Sequence, residues 1–237
     1  MPMLTSFPPD GLAVVIGATG SIGAALMAAL QLDGTFAQVI GLSRGSTPPL
    51  DLLDEASIAT AALHAASLGL DLRLVIDATG ELHGQGFMPE KTWQKIDPLH
   101  MARSFAINAI GPALLMKHFL PRLPRQGKAA FVSLSAKVGS IGDNRLGGWY
   151  SYRASKAALN QLVHTAAIEL RRSHPHAFCV VLHPGTIESH LSSPFVKFGI
   201  IIKAPQEGAA SLLNTINHLN ESDSGEFFNQ FGDILPW

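Results

Sequence analysis

LAVVIGATGSIGAALMAAL, residues 12–30, passes from a strand to a helix across a glycine turn. The first six residues are a continuous apolar, β-branched run. A strand that alternates apolar and polar residues faces water on one side, whereas an unbroken run is covered on both faces. SIGAALMAAL (21–30) then carries helical spacing. The alternation continues down the chain. Strands are predicted at 37–42, 72–78, 128–135 and 177–183. Helices are predicted at 56–66, 101–123, 151–172 and 206–219, with Pro112 placed to bend the second. Strand–helix–strand repetition with buried strands predicts an α/β chain, a doubly wound parallel sheet in three layers.

The totals agree with this reading. A chain of 237 residues predicts one domain over 1–237, with no repeat or linker to divide it. Being 47% apolar and 15% charged, it has enough for a large core. A net charge of -1 argues against a nucleic-acid partner or a membrane surface. The N-terminal stretch lacks the layout of a signal peptide, and no apolar run reaches the length of a membrane span. The single cysteine, Cys179, lies in a strand and allows no internal disulfide, which predicts a reducing, cytoplasmic setting. None of the ten histidines falls in a His-Glu-x-x-His spacing, so no metal site is expected.

The first turn carries the first chemistry. Gly17, Thr19, Gly20, Ser21, Ile22 and Gly23 lie between strand and helix. Glycines there admit a pyrophosphate close to the backbone, and the helix N-terminus offers free N–H groups and a positive dipole end. That predicts a Rossmann-type dinucleotide site. The second strand ends at Ser43-Arg44, with no carboxylate for the ribose hydroxyls of NAD. Arg44 is suited to a 2′-phosphate, so NADP(H) is expected over NAD(H). The second chemistry lies in YSYRASK, residues 150–156, which holds both tyrosines of the chain. Tyr152 and Lys156 are four apart on a predicted helix, which stacks them on one face. An ammonium beside a phenol favours phenolate, so the tyrosine pKa is expected to fall toward the working pH.

Together these pieces resemble the short-chain dehydrogenase/reductase family in its one-domain branch, and within it the C-factor and sniffer-type carbonyl reductase group. The resemblance covers essentially the whole chain. It rests on the glycine turn, Asp51-Leu52 after a short third strand, DATG (77–80), Asn108 in INAIG, YRASK, Pro184-Gly185-Thr186 and the tail FFNQFGDILPW. It implies that Tyr152 is the general acid for a carbonyl oxygen. Lys156 would tune it and hold the nicotinamide ribose. Asn108 would support a relay water. Asp51 and Leu52 would contact the adenine. Ala78, Thr79 and Gly80 would line the cofactor. Pro184, Gly185, Thr186 and Ile187 would meet its pyrophosphate or carboxamide.

The chain departs from the family pattern in places. Glycines at 17, 20 and 23 follow the spacing of the extended branch, which includes epimerases, but no substrate domain is present. Asp77 stands where the family usually has asparagine. The catalytic serine is expected three residues before Gly139, where the chain has Ala136. Ser133, Ser135 and Ser140 surround the gap, and Ser135, closing the strand, is the expected donor. The implied reaction is NADPH-dependent reduction of a small, fairly apolar ketone, aldehyde or quinone, under a lid at 188–205. The alternative is an NADPH-binding signalling protein with incidental catalysis. Pairing through the two long helices into a homodimer or homotetramer is implied as well.

Overall fold

The computed structural model describes residues 3–84, 86–195 and 202–237. Strands β1 (Leu12–Ile16), β2 (Gln38–Leu42), β3 (Leu72–Asp77), β4 (Ala129–Leu134), β5 (Ala177–His183) and β6 (Phe227–Asn229) form one sheet. All pairings are parallel, in the order β2-β1-β3-β4-β5-β6. Helices α1 (Ser21–Asp33), α2 (Glu55–Ser67), α3 (Pro98–Phe105), α4 (Gly111–Phe119), α5 (Tyr150–Ser173) and α6 (Pro205–His218) make the crossovers.

Alternation along β1 sorts the core into two layers. Leu12, Val14 and Ile16 pack with Ile58 of α2, Leu115 of α4 and Leu159 of α5. Ala13 and Val15 pack with Leu26 of α1 and Leu212 of α6 on the other face. Both faces are therefore buried, which is why these strands read as continuous apolar runs. The chain reverses its direction of winding between β1 and β3. Carboxyl ends of strands at such a switch point form a crevice, and ligands of open α/β sheets bind there.

The expected strands and helices are found with small shifts at their ends. The short strand expected before Asp51 is absent: residues 43–54 form a loop. There the Ser46 hydroxyl bonds the carbonyls of Ser43 and Pro48, and Pro48 and Pro49 have no N–H for a ladder. The sequence reading omits β6. Three residues are too few to show a period.

The helix expected at 101–123 is a composite. Asp97 caps α3, whose first residue is Pro98, and α3 ends at Phe105. A π-helical turn over Ala106–Ile110 follows, in which the Gly111 N–H reaches back five residues to Ala106. Pro112 has no N–H for the Asn108 carbonyl four residues back, so the change of pitch falls one turn before the proline. Asn108 sits in the middle of this turn, fully buried.

Candidate active site

At the end of β1 the backbone closes tightly. Gly17 is left-handed, with φ of 81°. A β-carbon on Gly23 would lie 2.1 Å from the Gly17 carbonyl oxygen, so no other residue fits without moving backbone. No side chain caps α1, whose N-cap is Gly20, and its first turn holds no acidic residue. Its N-terminal N–H groups are therefore free of side-chain acceptors and suited to an anion. Ile187 comes to the same place: a β-carbon on Gly208 of α6 would touch both Ile187 and Ile22. Lys203 donates its N–H to the Thr186 carbonyl and pairs with Ile187, which anchors the segment after Pro184-Gly185.

Past β2, Ser43 is half-buried and Arg44 is exposed. Arg44 has no acidic partner among the described residues. Asp51 accepts the Leu53 N–H, and Leu52 packs against Gly111 at the start of α4. After β3, Asp77 is only 1% exposed and accepts three donors: Thr79 N–H at 3.0 Å, Thr79 Oγ1 at 2.5 Å and Ser133 Oγ at 2.6 Å. This carboxylate shapes the turn through Ala78, Thr79 and Gly80 from inside. It also occupies Ser133, removing that serine from the candidates for substrate contact.

The catalytic candidates converge beside Gly80. A β-carbon there would lie 3.4 Å from Lys156 Nζ and 3.5 Å from Asn108 Oδ1. The Asn108 amide is paired with the backbone of Glu81, accepting its N–H at 2.8 Å and donating to its carbonyl at 2.8 Å. Its Nδ2 also donates to Ser155 Oγ. Asn108 thus holds the post-β3 loop against α5. Lys156 is 3% exposed and donates to the Leu134 carbonyl at 2.9 Å. Burial lowers its pKa to about 8, partly offset by Asp77.

Tyr152 is 7% exposed, one helical turn before Lys156. The expected fall in its pKa is not found in the free protein. Burial pushes the phenol up instead, because desolvation penalises phenolate. The Ser135 hydroxyl is buried and donates to Asn160 Oδ1 at 2.6 Å, on α5 one turn past Lys156. Ser140 Oγ bonds the Trp237 carbonyl and accepts the Asp143 N–H. The half-buried residue at the strand end is Ala136. Asn160, four residues after Lys156, is a partner that the helical spacing announces and the sequence reading passes over.

Aromatic rings gather over the tyrosine. Trp149 stands edge-on to Tyr152 at 6.2 Å and to Phe195 at 5.0 Å. Phe195 in turn meets His83 at 5.6 Å. Residues 188–195 supply the near part of the expected lid; residues 196–201 lie outside the described residues.

The family model for short chain dehydrogenases matches residues 11–197. The chain belongs to the short-chain dehydrogenase/reductase family. Among curated relatives, the C-signal protein of Myxococcus xanthus is 38% identical over 144 residues, 60% of this chain and 81% of that one. The 1-hydroxy-2-glutathionyl-2-methyl-3-butene dehydrogenase of Rhodococcus sp. (strain AD45) is 30% identical over 215 residues, 91% and 89% of the two chains. Among solved structures, the NADPH-bound carbonyl reductase from chicken fatty liver superposes with a TM-score of 0.82 at 26% identity, covering 100% of this chain and 98% of that one. The carbonyl reductase Sniffer of D. melanogaster gives 0.81 at 21% identity over 97% and 100%, a likeness of fold. As a member of this oxidoreductase family, the chain has its glycine turn and its Tyr152–Lys156 pair at the same end of one sheet. No described helix is long and apolar enough to cross a membrane.

Proposed function

We propose that the chain is an NADPH-dependent carbonyl reductase for small, fairly apolar ketones, aldehydes or quinones. The observation that carries the reading is the buried Lys156 beside Gly80, with buried Tyr152 one helical turn before it, at the carboxyl ends of the strands that also form the glycine turn. The uncapped α1 N-terminus and the space kept open at Gly17 and Gly23 fit a pyrophosphate, and Gly80 leaves room beside Lys156 for a ribose. When bound, NADPH supplies the hydride. Tyr152 protonates the carbonyl oxygen. Burial holds the phenol protonated in the free protein. Lys156, held by the Leu134 carbonyl, orients the ribose and sets positive charge near the phenol. Asn108 holds the loop that carries Gly80. The rings of Trp149, Phe195 and His83 make the substrate side apolar and favour a flat substrate.

Arg44 supports the cofactor preference. Arg44→Ala is expected to raise the Kd for NADPH by about 10-fold or more and leave that for NADH within about 2-fold. Fluorescence titration of both cofactors checks this; equal losses for the two would remove the assignment.

Serine placement gives another test. Ser135→Ala is expected to change kcat by less than about 3-fold, because its hydroxyl is spent on Asn160. Ala136→Ser restores a donor at the strand end and is expected to raise kcat by on the order of 10- to 100-fold. Steady-state kinetics of the two variants decide; a collapse in Ser135→Ala would return the donor role to Ser135.

A second reading is favoured by one observation, the filling of all three serine hydroxyls by protein partners. In it the chain binds NADPH for signalling, with weak catalysis. It predicts tight binding without turnover. Assembly is proposed through α4 and α5, where Ile168 and Leu162 are exposed.

A further inference from the structure

We infer that Glu90 is the N-cap of α5, supplied from a distant segment, and thereby a positioning residue for Tyr152; the inference rests on the reductase reading above for its effect on turnover. Helix α5 has no cap of its own. Gly147, Gly148 and Trp149 precede it with φ of 63°, 66° and 54°, three left-handed residues in a row. Trp149 stands in the cap position, where its left-handed backbone departs from the extended geometry of a cap and its side chain accepts nothing. A non-glycine residue in that region costs energy and persists only where its surroundings hold it.

Glu90 does the holding, from 60 residues upstream. Its backbone carbonyl accepts the Trp149 N–H. Its Oε2 accepts the Ser151 N–H at 3.1 Å, and its Oε1 accepts the Ser151 hydroxyl. Ser151 is fully buried and Glu90 is 4% exposed. A carboxylate in such a place is costly unless donors surround it. His100 on α3 lies beside it, its Nδ1 3.3 Å from Oε1, with its ring tilted against Phe87 at 4.2 Å.

Serine, histidine and glutamate together invite comparison with a hydrolase triad. The geometry rejects it: Ser151 gives its hydroxyl proton to Glu90, and no substrate reaches a fully buried oxygen. The cluster instead anchors the start of α5. Tyr152 is the next residue in the chain, and Trp149, whose N–H Glu90 also fixes, is the ring packed edge-on against it. The carboxylate also complements the positive end of the helix dipole. Misplacing a reacting group by a fraction of a bond length costs rate more than affinity, which is the mark expected of this residue.

The test compares Glu90→Ala, Glu90→Gln and Ser151→Ala by amide hydrogen exchange over residues 149–155 in the free protein, by thermal melting, and by kcat and KM with NADPH. In Glu90→Ala, exchange in the first turn of α5 is expected to accelerate by at least about 10-fold while residues 160–173 keep their protection. Its kcat is expected to fall by about 10-fold or more, with KM for NADPH held within about 3-fold. Glu90→Gln retains an acceptor and is expected to recover most of both losses. Ser151→Ala removes one of the bonds and is expected to give a smaller fall, which keeps the test decisive if Glu90→Ala does not fold. Unchanged first-turn exchange, or unchanged kcat with that protection gone, would overturn the proposal. So would parallel loss of melting temperature and kcat in every variant, with protection lost along the whole helix. The exchange experiment needs no substrate. A protein that turns over no carbonyl would therefore sink the reductase reading while the cap is still read.

Discussion

Tyr152→Phe is expected to lower carbonyl reduction by about 1,000-fold, since a positioned general acid commonly contributes between about 100- and 10,000-fold. The loss should fall on kcat. The phenol makes no hydrogen bond within the described protein, and burial alone accounts for its raised pKa. Removing the hydroxyl therefore breaks nothing in the free chain, and melting temperature and NADPH affinity should both stay near those of the parent. Stopped-flow or steady-state rates beside a fluorescence titration separate these quantities. A tenfold loss of NADPH affinity in the variant would mean that Tyr152 holds cofactor rather than moving a proton. Residual activity near the parent level would remove it from the chemistry.

Lys156→Met is expected to abolish turnover and stabilise the free protein at once. The ammonium is 3% exposed, and its pKa drops from the ordinary 10.5 to about 8 chiefly through burial. Folding thus disfavours the proton that the unfolded chain keeps. The unfolded state binds more protons between about 8 and 10.5, so stability of the parent rises with pH across that window, and the full penalty applies below it. Methionine fills the same space without charge. Stability at pH 7 should rise by up to about 3 kcal/mol, and its slope with pH between 8 and 10.5 should flatten. Denaturant unfolding at several pH values checks both. In the parent, NADPH affinity should weaken as pH passes about 8 and the free lysine loses its charge. A variant less stable than the parent would show that the Leu134 carbonyl contact outweighs desolvation.

The strands were readable because both faces of the sheet are covered, leaving LAVVI and AFCVVL as unbroken apolar runs and LRLVID interrupted only by Arg73 and Asp77. The glycine turn was readable because backbone approach at Gly23 excludes any β-carbon. What escaped depends on contacts between distant segments. No local pattern announces that Glu90 will meet Ser151, or that the Ser135 hydroxyl will meet Asn160. The direction of the Tyr152 shift escaped for a related reason: spacing places the lysine, but only the packed structure shows how dry the phenol is. The absent strand before Asp51 and the π-helical turn at Asn108 both follow from prolines whose missing N–H groups act locally, a signal the sequence holds but apolar periodicity does not register.

The most direct measurement is the rate of NADPH oxidation, set against that of NADH, with a panel of flat apolar ketones, aldehydes and quinones and the purified protein. The account predicts saturable, NADPH-selective turnover that disappears in Tyr152→Phe. Tight NADPH binding with no oxidation on any member of the panel would contradict it and leave the signalling reading in its place.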